Sequence, residues 1–521
     1  MPELWSRAGP PRIPGVDQSI GIIDLGTNTA RLMILRYAVG GPFDRVAHFR
    51  ERVRIGEGMG ASNALAPAPV TRALAALRKF KAECDAAGVG RIEAVATSAV
   101  RESSNREAFL ALARKEAGLA LRILSGDEEA RAGFLGAVNA LPIENGSVVD
   151  LGGGSVQITE VRGRQMGRAA SFPLGAVRLT EMFLPSDPPR RDEVQALDAY
   201  VQKAVSGVPW HRSAKGSAVC GIGGTVRALA KLDRKARDWP LDRLHGYELR
   251  TSALDDLVGQ LTSLSLAERQ ALPGLRKERA DIILAGAVTI RRILRSAGYD
   301  RIWVSADGLR EGLFYPFLVR TGVDPVLPTV REVRVAGVRD LARAQGLDLP
   351  HGEQVAAVAV RLFDGLQPLL PGPPSAMRHD RELLEAAGWL VDLPEKTGPN
   401  GFLELIEGAP LPGLLHRHVA LLALLLHPNP DALAGPRRLG ALLQPGDPDR
   451  TARLGLFVAL AEALDAGRAA AVARLDVAVD GGRVRLALAA RGDPRREVAR
   501  AGRLADAFRK TFGKALDLAC D

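Results

Sequence analysis

Two stretches of the chain share one layout of apolar and polar positions. In "GIIDLGTNTARLMIL" (21–35) and in "VVDLGGGSVQ" (148–157) an apolar run ends in an aspartate, turns through glycine and small polar residues, and becomes apolar again. Each predicts a strand–turn–strand hairpin, over 19–37 and 146–162. A third strand is expected at 43–55. Helical period then fills 68–87, strand character returns at 91–97, and "SSNREAFLALARKEAG" predicts a helix with a Ser/Asn start and a Gly stop. "LALRILSG" follows as a strand and "DEEARAGFLGAVNAL" as a helix. The second hairpin opens a similar series, with strand, glycine turn and helix in "GSAVCGIGGTVRALAKL" and again in "DRIWVSADGLREGLFY". Two such halves predict a duplicated α/β fold with a cleft between them.

"RTGVDPVLPT" reads as a linker. Beyond it the pattern is mostly helical, at 328–346, 351–370, 380–391, 412–427 and 451–467, interrupted by the prolines at 368–374. From about 470 the order strand, "GGR" turn, strand, helix predicts a small α+β unit. The expected division is a disordered lead-in, 1–18; a first half, 19–125, to which 305–320 returns; a second half, 126–304; a helical region, 321–468; and an α+β segment, 469–521.

Composition narrows the class. A chain of 521 residues exceeds one compact core, so two to four domains are expected. Hydrophobic content of 46% with 25% charged residues is that of an ordinary soluble globular protein. The formal net charge is +10 and most of the cations are arginine. That favours an anionic ligand, because the guanidinium fork matches phosphate oxygens, unless a GC-rich coding bias scatters arginine over the surface. Cys84, Cys220 and Cys520 lie far apart, which excludes a disulfide framework or a CxxC metal site and suits a reducing compartment. The most apolar run, "HVALLALLLHP", is too short for a membrane span. A cytoplasmic protein with no membrane and no nucleic-acid partner is expected.

The hairpin turns carry the candidate chemistry. Glycine-rich turns expose consecutive backbone N–H groups and let a phosphate approach closely. Thr27, Asn28, Thr29 and Ser155 add side-chain donors. Asp24 and Asp150, just before the turns, would repel phosphate unless a divalent cation bridged them, and Mg²⁺ takes such oxygen ligands. The plainer alternative is a pair of tight turns with Asp as a turn former; two matched loops favour the metal–phosphate clamp. In "LSGDEEARAG", Ser125 and Glu128 form a capping box, which leaves Glu129 unexplained. Glu129 points about 100° away from its neighbour and could take a proton from water attacking phosphorus. Arg101 follows a strand end, where it is either a solvated loop residue or a phosphate clamp.

Taken together, "DLGTNTARLMI", "ATSAVRESSN", "LSGDEEAR", "VVDLGGGSVQI", "GIGGTVRALA" and "SADGLREGL" resemble the exopolyphosphatase / guanosine pentaphosphate phosphohydrolase family, in order and spacing, over roughly residues 19 to 320. The resemblance implies a duplicated core of the actin and sugar-kinase superfamily (ribonuclease H-like), followed by an α-helical HD-like domain and a small α+β domain. It implies that Glu129 activates water and that Arg101 and Arg31 bind phosphates. Asp24 to Thr29 and Asp150 to Ser155, with Gly152, Gly153 and Gly154, match the two phosphate loops, and Asp150 a Mg²⁺-associated carboxylate. Gly223, Gly224 and Thr225 match a third glycine motif, with Arg279 and Arg310 as weaker correspondences. Mg²⁺ with K⁺ stimulation, and a homodimer, are implied as well.

Two departures from the family stand out. Gln157 occupies a position where the family commonly has Glu, which keeps an oxygen for metal but loses the charge. His351 lies where a first HD histidine is expected, yet Val391-Asp392 replaces His-Asp, so a metal-dependent HD site is not expected there. His379-Asp380 spells HD too early, at a helix start. The expected activity is an exopolyphosphatase that releases terminal orthophosphate processively from inorganic polyphosphate by Mg-assisted water attack. The alternatives are guanosine pentaphosphate 5′-phosphohydrolase, forming the tetraphosphate; a non-catalytic sensor of polyphosphate or guanosine tetra- or pentaphosphate; and an ATP-dependent kinase.

Overall fold

The computed structural model describes residues 18–39, 43–59, 63–214, 216–318, 328–409, 411–427, 433 and 439–520. The lead-in and most of the linker therefore lie outside the described residues. The chain forms two compact units, Met1–Asp238 with Leu244–Thr329, and Trp239–Arg243 with Val330–Asp521.

The first unit holds two mixed sheets built the same way. β1 (Gln18–Leu25), β2 (Thr29–Tyr37) and β3 (Phe43–Arg52) form an antiparallel meander, and β4 (Arg91–Ala96) and β5 (Arg122–Ile123) add parallel strands, giving the order β3-β2-β1-β4-β5. In the second sheet β6 (Gly146–Leu151), β7 (Val156–Arg162) and β8 (Gln165–Phe172) repeat the meander. β9 (Ala218–Ile222) runs parallel to β6, followed outward by β11 (Arg301–Val304) and the antiparallel edge strand β10 (Tyr247–Arg250). Both central hairpins are largely buried on both faces, as strands covered by helices are. The helix Leu309–Leu318 returns to the first sheet: Phe314 packs with Ile20, Ile22, Met33 and Leu35.

Some local expectations give way to the structure. Arg101 sits not on a bare loop but in a one-turn helix, Ser98–Glu102. The strand expected in "LALRILSG" shrinks to the two residues of β5. Ser125 does cap the helix Gly126–Val138, accepting from the Glu128 N–H while Glu128 Oε2 accepts from the Ser125 N–H.

The second unit packs helices over Val330–Ala344, Leu349–Leu366, Pro374–Trp389, Leu393–Gly408, His416–Leu426 and Asp447–Ala463 around one apolar core. The glycine- and proline-bearing stretch at 393–408 is helical, broken at Gly398, where φ is 70°. The terminal segment pairs β12 (Val472–Asp480), β13 (Arg483–Ala490) and β14 (Ala515–Cys520). β14 was expected to continue a helix; Gly513, in the left-handed region at φ 66°, ends that helix and the chain turns parallel to β13. His351 Nδ1 lies 2.7 Å from Asp465, and the Arg468 guanidinium grips Asp392 with two hydrogen bonds of 2.7 Å.

Candidate active site

The two hairpins end in the same tight turn. Gly26 N–H donates to the Thr29 carbonyl at 3.2 Å, and Gly152 N–H to that of Ser155 at 3.0 Å. Cross-strand register then pairs Asp24 with Arg31 and Asp150 with Gln157, and directly opposed residues share a sheet face. The two loops meet: a Cβ on Gly154 would stand 2.1 Å from Ser98 Oγ and 2.7 Å from Thr27 Oγ1, so only glycine allows this approach. The third turn leads from β9 into the helix Gly224–Ala236, whose first amides face the same space.

That space is a cavity of about 120 Å³. Its walls hold Asp24, Thr27, Asn28, Thr29 and Arg31 from the first loop, and Asp150, Gly152, Gly153, Gly154, Ser155 and Gln157 from the second. Gly223, Gly224 and Thr225 join from the third turn, with Glu129, Arg279 and Arg310. Arg101 alone of the sequence-derived set is not in the wall; it reaches the site through Glu129.

The electrostatics suit an anionic ligand. Burial lowers Arg31 well below the ordinary guanidinium range, and the charges of Arg310, Arg227 and Arg279 lower it further. Arg279 is brought down to about 9, first by burial and then by neighbouring arginines. Like charges crowded at one cavity disfavour one another, and the carboxylates beside them offset this only in part, so a bound anion would relieve it. At the first loop, Asn28 Oδ1, Asn28 Nδ2 and Thr29 Oγ1 are buried without a hydrogen-bond partner among the described residues. Such groups are costly in a folded protein and mark a place where a ligand completes the bonding.

Two carboxyls face this cationic wall. Burial raises Asp24, and burial with the charge of Asp24 raises Asp150 to about 6. Among the described residues no group of three or more His, Cys, Asp or Glu side chains is arranged to hold a metal ion by itself. A paired Asp24 and Asp150 fits a hard divalent cation that takes its remaining oxygen ligands from phosphate and water.

Glu129 is buried, 2% exposed, and held from both sides. Arg101 Nη1 donates to Oε1 at 2.7 Å, and Gln157 Nε2 donates to Oε2 at 2.6 Å. The Gln157 amide also reaches Ser155 Oγ at 2.9 Å and Ser171 Oγ at 3.1 Å. Burial pushes the Glu129 carboxyl up to about 7 against the pull of Arg101, with Asp150 and Asp24 adding to the rise. A carboxyl poised near neutrality on a cavity lined by glycine loops and arginines is equipped to accept a proton from water.

Sequence reasoning missed several neighbours. Arg227 lines the cavity and anchors on the Ser305 and Ala306 carbonyls at 3.3 and 2.7 Å. It lies one turn after Gly224 in a stretch already singled out, so helical period could have found it. Ser98, hydrogen-bonded to Thr27 Oγ1 at 3.2 Å, sits in the strand-end stretch that contains Arg101. His48 left no signal. It accepts from Arg310 Nη1 at 2.5 Å, and burial with the charge of Arg310 lowers it to about 4.

The Ppx/GppA phosphatase family model matches residues 33–321, more than half of the chain. Exopolyphosphatase 1 of Mycobacterium leprae is 29% identical over 298 residues, covering 56% of this chain and 88% of that protein. Exopolyphosphatase 2 of Mycobacterium tuberculosis is 30% identical over 312 residues, covering 56% and 97%. The crystal structure of an exopolyphosphatase from Cytophaga hutchinsonii superimposes with a TM-score of 0.54 at 28% identity, over 59% of this chain and 100% of that one. The chain therefore belongs to the Ppx/GppA phosphatase family, as a hydrolase of phosphoanhydride bonds.

Proposed function

We propose that this chain is an exopolyphosphatase that removes terminal orthophosphate, processively, from inorganic polyphosphate. The observation that carries the reading is the placement of Glu129, locked by Arg101 and Gln157 on the wall of a small cavity lined by glycine loops and arginines. Backbone amides of the two loops, with Asn28 and Thr29, would hold the terminal phosphoryl group. Glu129 takes a proton as the water oxygen bonds to the terminal phosphorus. The bridging P–O bond breaks, and the shortened chain leaves with its new charge facing Arg31, Arg279 and Arg310. Positioning and charge stabilisation supply most of the rate in such transfers. Asp24 and Asp150 would hold Mg²⁺, which when bound offsets the charge of the phosphates. Gln157, engaged as a donor to Glu129, is read here as orienting the base rather than as a metal ligand.

A cavity of about 120 Å³ is small against the roughly 300–1,000 Å³ of sites that enclose whole organic ligands, which supports a bare phosphate chain over a nucleotide. Phosphate release from long-chain polyphosphate beside guanosine pentaphosphate, with Mg²⁺ present, tests the reading. Faster release from polyphosphate is expected. Release from the pentaphosphate alone would assign the nucleotide activity instead.

A further inference from the structure

The second unit contains a cavity of about 410 Å³, larger than the one that holds Glu129. Three helices converge on it: Pro374–Trp389 brings His379 and Asp380, His416–Leu426 brings Arg417, and Asp447–Ala463 brings Asp447, Arg450 and Arg453. The early His-Asp pair of the sequence thus belongs to a basic pocket. Arg417 grips Asp447 through two hydrogen bonds, of 3.0 and 2.7 Å, and Arg450 donates to Asp380 at 2.5 Å. The Gln444 N–H adds a bond of 2.8 Å to Asp447. Both carboxylates are therefore spoken for, and three guanidiniums face two carboxylates. Arg453 lines the cavity without a hydrogen bond or ion pair to any described residue, and its charge reaches Asp380 only at longer range, so its guanidinium keeps donors for a ligand.

We propose that this pocket binds a phosphate-bearing small molecule, with Arg453 as its principal contact and Arg417 and Arg450 supplying further donors. Three features carry the assignment. Excess positive charge gathered at one cavity selects anions, and guanidinium forks match phosphate oxygens. The volume exceeds the needs of a lone orthophosphate and falls within the range of small-molecule sites. The His379 and His418 rings, both in the wall, stack on one another beside the cations with centroids 5.5 Å and planes 19° apart. Burial holds His418 well below its ordinary range, and the charges of Arg334, His379, Arg417 and Arg450 lower it further. The phosphate could come from a short inorganic chain or from a nucleotide, and the same titration separates the two.

The test uses the full-length chain carrying Glu129→Gln, so that probes are not consumed. Calorimetric titration with tripolyphosphate, and separately with guanosine diphosphate, should reveal a class of sites besides the Glu129 cavity for at least one probe. Adding Arg453→Ala should weaken that class tenfold or more and leave the other unchanged; Arg31→Ala should do the reverse. Binding of tripolyphosphate at the Arg453 class would name an inorganic chain, and of the diphosphate alone a nucleotide. Hydrogen exchange in the segments 416–426 and 447–463 should slow when the probe is added. A single class of sites for both probes, unchanged binding in Arg453→Ala, or no protection in those segments would overturn the proposal.

Discussion

Two adjacent glutamates show what a residue's surroundings decide. Glu128 is half-exposed and closes the capping box, and its hydrogen bonds with Ser125 lower its carboxyl. Glu129, one residue on, is buried and raised to about 7. The difference in direction was legible from the 100° step of a helix; the depth of burial was not, because it depends on β7 and on Arg101, both distant in sequence. A base must be ionised to accept a proton, so kcat should fall as pH drops below about 7, by about tenfold per unit once Glu129 is protonated. A pH–rate profile checks this, and a rate flat down to pH 5 would contradict it. Gln157→Glu would remove the 2.6 Å donor to Glu129 and set a second carboxyl beside it. Crowded carboxyls resist joint ionisation, so the acid limb should move to higher pH. An unmoved limb would mean that Gln157 does not orient the base.

At the scale of elements, the paired hairpins were readable because Asp-Leu-Gly and Asp-Leu-Gly-Gly-Gly punctuate clear apolar runs. β14 and the short helix at Ser98 were not, since one is set by pairing with β13 and the other spans a single turn. The contact between the helices Gly126–Val138 and Leu309–Leu318 was also hidden. A Cβ on Gly136 would stand 2.1 Å from the Gly308 carbonyl oxygen, and backbone cannot give way as a side chain can. Gly136→Ala should therefore cost about 1–3 kcal/mol by overpacking. Gly259, in the helix Thr251–Ser263, has nothing within 4 Å of its Cβ position, and Gly259→Ala should stabilise by about 0.4–1 kcal/mol. Urea denaturation of both variants decides. Equal midpoints would show that the two helices part without cost.

Across the whole molecule, the arginine excess divides between carboxylate partners and open pockets. Many arginines are paired, as in Arg45–Asp307 and Arg331–Glu385, so the bulk charge overstates the cationic surface available. What the net +10 could not reveal is the clustering of Arg31, Arg227, Arg279 and Arg310 about one cavity. Binding of long polyphosphate should weaken steeply with salt, because each neutralised phosphate releases counterions; a flat response would reduce the charge to composition. At the centre of the proposed reaction Glu129 activates water. Orthophosphate release from long-chain polyphosphate, compared between the parent chain, Glu129→Gln and Glu128→Gln, tests it most directly. Glu129→Gln should lose two to four orders of magnitude in kcat, about 3–5 kcal/mol of barrier, with polyphosphate binding retained, while Glu128→Gln keeps its turnover. Turnover by Glu129→Gln within a few-fold of the parent would mean that Glu129 is not the base.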